Sequence, residues 1–315
     1  MICYHASHEQ FAPSRLLTLV QLAEKAGFQA IHSSDHFHPW SKRQGQSGFT
    51  FSWIAAAMQA THLPFSMVCA PGQRLHPAIV AQAISTLCEM FPGRFNIELG
   101  SGEAINECIT GEEWPNKETR NKRLMECYNV IKDLLSGKEV NFSGHVKVSH
   151  ARLYTLPISQ PYIMCAGVSD QTCEWAGKWA DGLVTTAGNM EDVRNKIALF
   201  RSNGGSAKPV YLQFAFSYAD KIDNAQSEAY DQWRSNILPV DKLANLSRVE
   251  QFDEAAKTTT RDEVTEVIPA YSSMKTLRDD VERYLTLDIE RLILHNITRQ
   301  QELFISDYGK VIGMV

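Results

Sequence analysis

The constraint that narrows the fold most is an alternation. Short runs of β-branched or apolar residues at 2–5, 28–33, 64–69, 94–100, 162–165, 182–186, 209–216 and 291–295 are separated by segments with helical spacing. Repeated strand–helix units specify an α/β protein with a parallel sheet, and about eight of them is the number that closes a (β/α)8 barrel. The first unit is clear. "PSRLLTLVQLAEKAG" opens on Pro13, places Leu16, Leu19, Val20 and Ala23 on one helical face and stops at Gly27. "HPAIVAQAISTLCEMFPG" repeats the design from Pro77 to Pro92 and Gly93. Two departures interrupt it: residues 137–155 read as a hairpin around Ser143 and Gly144, and 218–285 as a polar, partly helical insertion. A separate domain would need its own core, so the chain 1–315 is expected to be one barrel with the insertion over its mouth.

Charge and composition exclude several partners. Lys plus Arg number 31 against 36 Asp plus Glu, and the basic residues are scattered, which argues against a nucleic-acid footprint. The seven cysteines form no C-x-x-C pair, the pattern of a reducing compartment. "MICYHASHEQ" lacks the basic and apolar regions of a signal peptide, and no run approaches the roughly 20 apolar residues of a membrane span. The expectation is a soluble, cytoplasmic protein without membrane or nucleic-acid partners.

Chemistry in such barrels gathers where the strands end. After the second strand, "SSDHFHPW" supplies Asp35, His36, His38 and Trp40. A histidine titrates near neutrality and moves protons, whereas an adjacent aspartate on extended backbone faces the other way and accepts hydrogen bonds instead. Read plainly, Ser34 and Asp35 are also a turn before Pro39. His36-x-His38, with His5, His8 and His295, raises a metal site, but no Asp or Glu partner stands at a later strand end. After the fourth strand, "LGSGEAINE" brackets Ser101 with Gly100 and Gly102, opening the backbone to a flat ligand, and spaces Glu103 and Asn106 on one helical face. The same residues also suit a glycine-softened turn with an asparagine cap. "AGVSD" and "TTAG" end the fifth and sixth strands with small residues suited to a phosphate. "SNGGSAKP" leads into a strand and belongs to the opposite face, and Trp175 and Trp179 read as packing.

These motifs, with "ASHEQFAP" at 6–13 and "HPAIVAQAISTL" at 76–87, resemble the luciferase-like flavin oxidoreductases. They are most similar to the branch containing the F420-dependent glucose-6-phosphate dehydrogenases and the non-F420 flavinoid oxidoreductases. The resemblance implies a barrel carrying a flavin or 5-deazaflavin ring at its mouth, hydride transfer to or from a small-molecule substrate, and a homodimer. It implies proton transfer by His36, a carboxylate beside the ring in Glu103, an aromatic flank in Trp40 and a further active-site carboxylate in Glu9. Cofactor contacts would come from Asp35, Ala70, Ser101, Gly102 and Asn106, from Met67 and Val68 at a cis peptide bond, and from Ala166, Gly167 and Val168 on the phosphate side.

Where the sugar-phosphate enzymes hold the phosphate with basic residues, the matching positions here are Asn189, Glu254 and an apolar residue near Ile268, with Thr186 kept. A dianion would lose its strongest contacts, so glucose 6-phosphate is not the expected substrate. The altered phosphate-side loop favours FMN, with F420 as the alternative. Beside a dehydrogenase or monooxygenase stand a flavin carrier without turnover and, last, a metal-dependent barrel hydrolase; the joint presence of Glu9, His36, Trp40 and Glu103 speaks against the carrier.

Overall fold

The computed structural model describes residues 1–311. Eight parallel strands close on themselves: β1 (Ile2–Ala6), β2 (Ala30–Ser34), β3 (Phe65–Cys69), β4 (Phe95–Leu99), β7 (Ile163–Ala166), β8 (Leu183–Thr186), β9 (Val210–Tyr218) and β11 (Arg291–Asn296). The pairing of β8 with β9, Leu183 opposite Val210, completes the ring, and β1 joins β11 on the other side. The chain is a TIM barrel, as its alternation requires.

Local sequence explains the helices around it. Pro13–Lys25 starts on a proline whose missing N–H costs nothing there, buries Leu16, Leu19, Val20 and Ala23 against the sheet, and ends where Gly27 takes φ 92°. Pro77–Met90 repeats this, with the His76 side chain accepting from Ala78 N and Gly93 at φ 72°. The hairpin of β5 (Val140–Ser143) and β6 (Lys147–Ala151) is antiparallel, and lies before the fifth barrel strand. Among the described residues no helix is long and apolar enough to cross a membrane.

Between β9 and β11 the chain forms four helices, Ile222–Trp233, Val240–Asn245, Val249–Ala255 and Arg261–Val267, then β10 (Ala270–Tyr271), which extends the sheet beside β9. The following helix, Met274–Leu285, buries Leu277, Val281 and Tyr284 and belongs to the outer layer of the barrel. The excursion over the mouth therefore ends before residue 285, because this strongly amphipathic face has a barrel to cover. Arg43, from the loop after β2, ties the excursion down through Asp253 at 2.7 Å and the Asp231 carbonyl at 2.7 Å.

The lumen departs from the usual apolar filling. His5 Nδ1 lies 2.8 Å from His32 Nδ1, His32 Nε2 lies 2.8 Å from Glu98 Oε2, and His295 stacks on His5 with ring centroids 3.9 Å apart. Burial pushes His8 down to about 4 and His295 down to about 3, while His5, also facing other histidines, falls well below the usual 6.5. These rings fold neutral. In the unfolded chain they bind protons as pH drops below about 6.5, so the folded state loses roughly 1.4 kcal/mol per pH unit per histidine until each folded value is reached. The urea midpoint should accordingly fall steadily between pH 7 and pH 4. An unchanged midpoint from pH 7 to pH 5 would show that the rings are not held neutral by the fold.

Candidate active site at the carboxyl ends of the strands

The side chains picked out after β1, β2 and β4 meet. His36 Nε2 lies 3.1 Å from Glu9 Oε1, and His36 Nδ1 lies 3.0 Å from Asn106 Nδ2. Asn106 Nδ2 also donates to Glu103 Oε2 at 3.3 Å, so one amide joins the histidine to the second carboxyl. Glu9 is buried and accepts from Ser7 Oγ at 2.8 Å and Ser34 Oγ at 3.2 Å. The Trp40 ring sits 5.5 Å from that of His36 and is held edge-on by Phe252 of the excursion at 5.3 Å.

The orientation of the Asn106 amide fixes the histidine tautomer. Asn106 Oδ1 accepts from the backbone N–H of Phe37 at 2.9 Å and of His38 at 3.2 Å, so its amide nitrogen faces His36. His36 Nδ1 must accept, which leaves the ring proton on Nε2, aimed at Glu9. Burial raises Glu9, but His36, its own backbone N–H and Ser7 outweigh it and leave the carboxyl below its usual range. Burial dominates at Glu103, with Glu9 and Glu107 adding against the pull of His36, and holds that carboxyl above its usual range. Two carboxyls pushed apart on either side of one histidine form an acceptor and a donor of protons.

A second, ionic layer stiffens these loops. Asp35 Oδ1 accepts from Thr50 N at 3.1 Å and Oδ2 from Arg74 at 2.6 Å, while Arg74 N donates to Glu107 Oε2 at 2.8 Å. Both oxygens of Asp35 are thus engaged within the protein. Arg74 and Glu107 carry weight that the motifs alone did not assign them; Glu107, four residues beyond Glu103, shares its helical face and was open to that argument.

The floor of the mouth is made of small residues. Gly102 has φ 83°, and a Cβ there would stand 3.1 Å from Glu107, 3.2 Å from Trp114 and 3.3 Å from Ala70, so only glycine fits. A Cβ at Gly100 would meet nothing nearer than Ala166 at 3.9 Å, so the ends of β3, β4 and β7 leave an open, flat shelf. Val68 faces the lumen, whereas Met67 is fully buried toward the helices, and no peptide bond among the described residues is cis. The expected cis bond at Met67–Val68 is therefore absent, and any contact from Met67 is through its backbone. Ser101 Oγ accepts from Lys117 Nζ at 2.8 Å. Gly167 is buried, with its N–H on Val184 O at 2.9 Å, while Val168 and Thr186 are exposed on the rim, apart from the His36 group.

His38 serves the loop, its Nδ1 donating to Ile105 O at 2.7 Å. Its partner differs from that of His36, and among the described residues no three His, Cys, Asp or Glu side chains converge as metal ligands. Beside His36, a cleft of about 580 Å³ is lined by Phe37, Phe49, Arg74 and Ile109. Another of about 600 Å³ lies at the amino ends of the strands, lined by Arg201, Lys208 and Arg291, away from the His36 group.

The family described as luciferase-like monooxygenase matches residues 3–289. An F420-dependent glucose-6-phosphate dehydrogenase of Microbacterium testaceum is 28% identical over 320 residues, 98% of this chain and 95% of that one. An F420-dependent hydroxymycolic acid dehydrogenase of Mycobacterium tuberculosis is 35% identical over 243 residues, 75% of this chain and 67% of that one. An F420-dependent secondary alcohol dehydrogenase in complex with an F420-acetone adduct superposes with a TM-score of 0.90 at 28% identity, covering 99% of this chain and 98% of that one.

Two outcomes test the geometry. Asn106→Ala strands two backbone N–H groups and frees the His36 ring, and should cost about 1–3 kcal/mol of stability and scramble the His36 tautomer in ¹⁵N spectra; an undisturbed Nε2–H signal would remove the amide from its role. Arg74→Met leaves Asp35 and Glu107 buried without their cation and should cost about 3–5 kcal/mol in urea unfolding.

Proposed function

The chain belongs to the luciferase-like monooxygenase family and is an oxidoreductase, and from that premise we propose that it oxidises a small, uncharged secondary alcohol with coenzyme F420 as hydride acceptor. The observation that carries the proposal is the Glu9–His36–Asn106–Glu103 chain at the mouth. The relatives at 28–35% identity cited above are named F420-dependent, which turns the choice of cofactor from FMN to F420.

The residues present fit a deazaflavin. The shelf at Gly100, Gly102, Ala166 and Val68 admits a flat ring, Ala70 and Ser101 border it, and Gly167 and Val168 lie on the side of its phosphate tail. When bound, F420 supplies a carbon that accepts hydride; the protein supplies position and proton transfer. A substrate hydroxyl entering between His36 and Glu9 accepts from His36 Nε2–H and donates to Glu9 Oε1. The fixed tautomer thereby moves the accepting role expected of His36 to Glu9, while His36 steadies the oxygen. In the reverse direction Glu9 returns the proton it took, while Glu103, which keeps its proton more strongly, would offer a hydrogen bond beside the ring. Trp40, backed by the buried Phe252, Ile105 and Leu238, faces the substrate with apolar surface.

A sugar phosphate finds no cation among the positions that would hold it. Asn189 caps its own helix through Glu191 N at 2.8 Å, Glu254 adds a negative charge at the surface, and Ile268 is buried among Ala229, Val264 and Ile297. Removing those cations costs a dianion its main anchorage, even though glucose 6-phosphate is named in several relatives.

Purified protein should reduce F420 with propan-2-ol and not with glucose 6-phosphate, followed by the loss of the visible absorbance of oxidised F420. Glu9→Gln and His36→Ala should each lower kcat by about 10²–10⁴-fold while F420 still binds. Turnover of glucose 6-phosphate at a rate comparable with the alcohol would sink the substrate assignment, and FMN bound in preference to F420 the cofactor.

A further inference from the structure

Beneath the mouth lie titratable groups that the proposed reaction does not touch. His5, His32 and Glu98 are buried and joined in a line, His5 Nδ1 to His32 Nδ1 and His32 Nε2 to Glu98 Oε2, both at 2.8 Å. A carboxylate oxygen has no proton to give, so His32 carries its proton on Nε2. Its Nδ1 then accepts, and His5 must donate from Nδ1. The lone pair of His5 Nε2 is left over: this atom has no partner among the described residues, and unlike His295 Nε2 it is not sealed from the surface. His5 lies near the mouth end of β1, four residues before Glu9. Burial and the neighbouring His295, His32, His8 and His36 keep the His5 ring neutral.

We propose that His5, His32 and Glu98 form an ordered proton relay that receives the proton released at Glu9 and holds it on Glu98. His5 Nε2 gains a proton, the His5 Nδ1–H bond breaks as His32 Nδ1–H forms, and the His32 Nε2–H bond breaks as Glu98 Oε2–H forms. One proton enters and one carboxyl is protonated; both rings finish neutral with exchanged tautomers, and no electron moves. The reverse sequence returns the proton. The path asks for one water between Glu9 and His5, where the unpartnered Nε2 of His295, whose ring packs against His5, could also meet it. At the far end Glu98 Oε1, Ser66 Oγ and two nitrogens of Arg291 are also buried without partners. Arg291 lies 4.5 Å over the Tyr211 ring.

The role in turnover rests on the alcohol-oxidising reading above; the proton order does not. Histidine ¹⁵N spectra of the wild-type protein at neutral pH should show His5 protonated on Nδ1 alone and His32 on Nε2 alone, assigned with His5→Gln and His32→Gln. Either ring doubly protonated, or His32 protonated on Nδ1, overturns the relay. In single turnover with F420 and propan-2-ol in dilute buffer with an indicator dye, proton appearance should lag F420 reduction several-fold in the wild type. In Glu98→Gln the two should coincide. Coincident signals in the wild type overturn the relay however that variant folds, whereas absence of F420 reduction overturns the reading of the reaction and leaves the tautomers to decide the relay.

Discussion

Everything in the molecule depends on the closure of the sheet between β8 and β9. An open parallel sheet could let polar side chains on one face reach water; a closed ring cannot, and whatever points inward must look for its partners inside. In this chain the inward positions of β1, β2, β4 and β11 are His5, His32, Glu98 and His295. Their mutual contacts are forced by the closure, and their neutrality follows from burial. The same closure sends every strand's carboxyl end to one rim, which is why groups as distant in sequence as Glu9 and Asn106 come within reach of one imidazole.

At that rim the separation of two similar carboxyls is a matter of donors. Glu9 collects hydroxyl and imidazole donors and is held low; Glu103 has a single amide donor at 3.3 Å and two neighbouring carboxyls, and is held high. Asn106 couples them without belonging to either. Its oxygen is occupied by backbone, so the arrangement of the loop after β2 dictates the chemistry of the nitrogen.

The barrel was legible because both of its periodicities are strong: the runs at 64–69 and 94–100 became Phe65–Cys69 and Phe95–Leu99, the first shorter by one residue at its start and the second by one at each end. The strand-end rule then named Glu9, His36, Trp40, Glu103 and Asn106, which do meet. Three features were hidden. Engagement of Asp35 by Arg74 depends on a long side chain crossing between strand ends, which no local spacing encodes. The polar lumen is invisible because isolated histidines within apolar runs look like ordinary strand residues. The histidine tautomer depends on which way an amide faces, and that is decided by two backbone donors from another loop.

Trp40 is supported from outside the barrel, by Phe252, while Glu9, His36 and Asn106 are held by contacts among the strand ends themselves. The excursion is fastened to the loop after β2 by Arg43, through Asp253, Ser235 and the Asp231 carbonyl, and by Gln44 through the Gln232 carbonyl. The surroundings of Trp40 and the Glu9–His36–Asn106 contacts therefore answer to different parts of the sequence. Rewriting the excursion around a retained Phe252 and Asp253 would reshape the approach to the mouth and leave those contacts as they are.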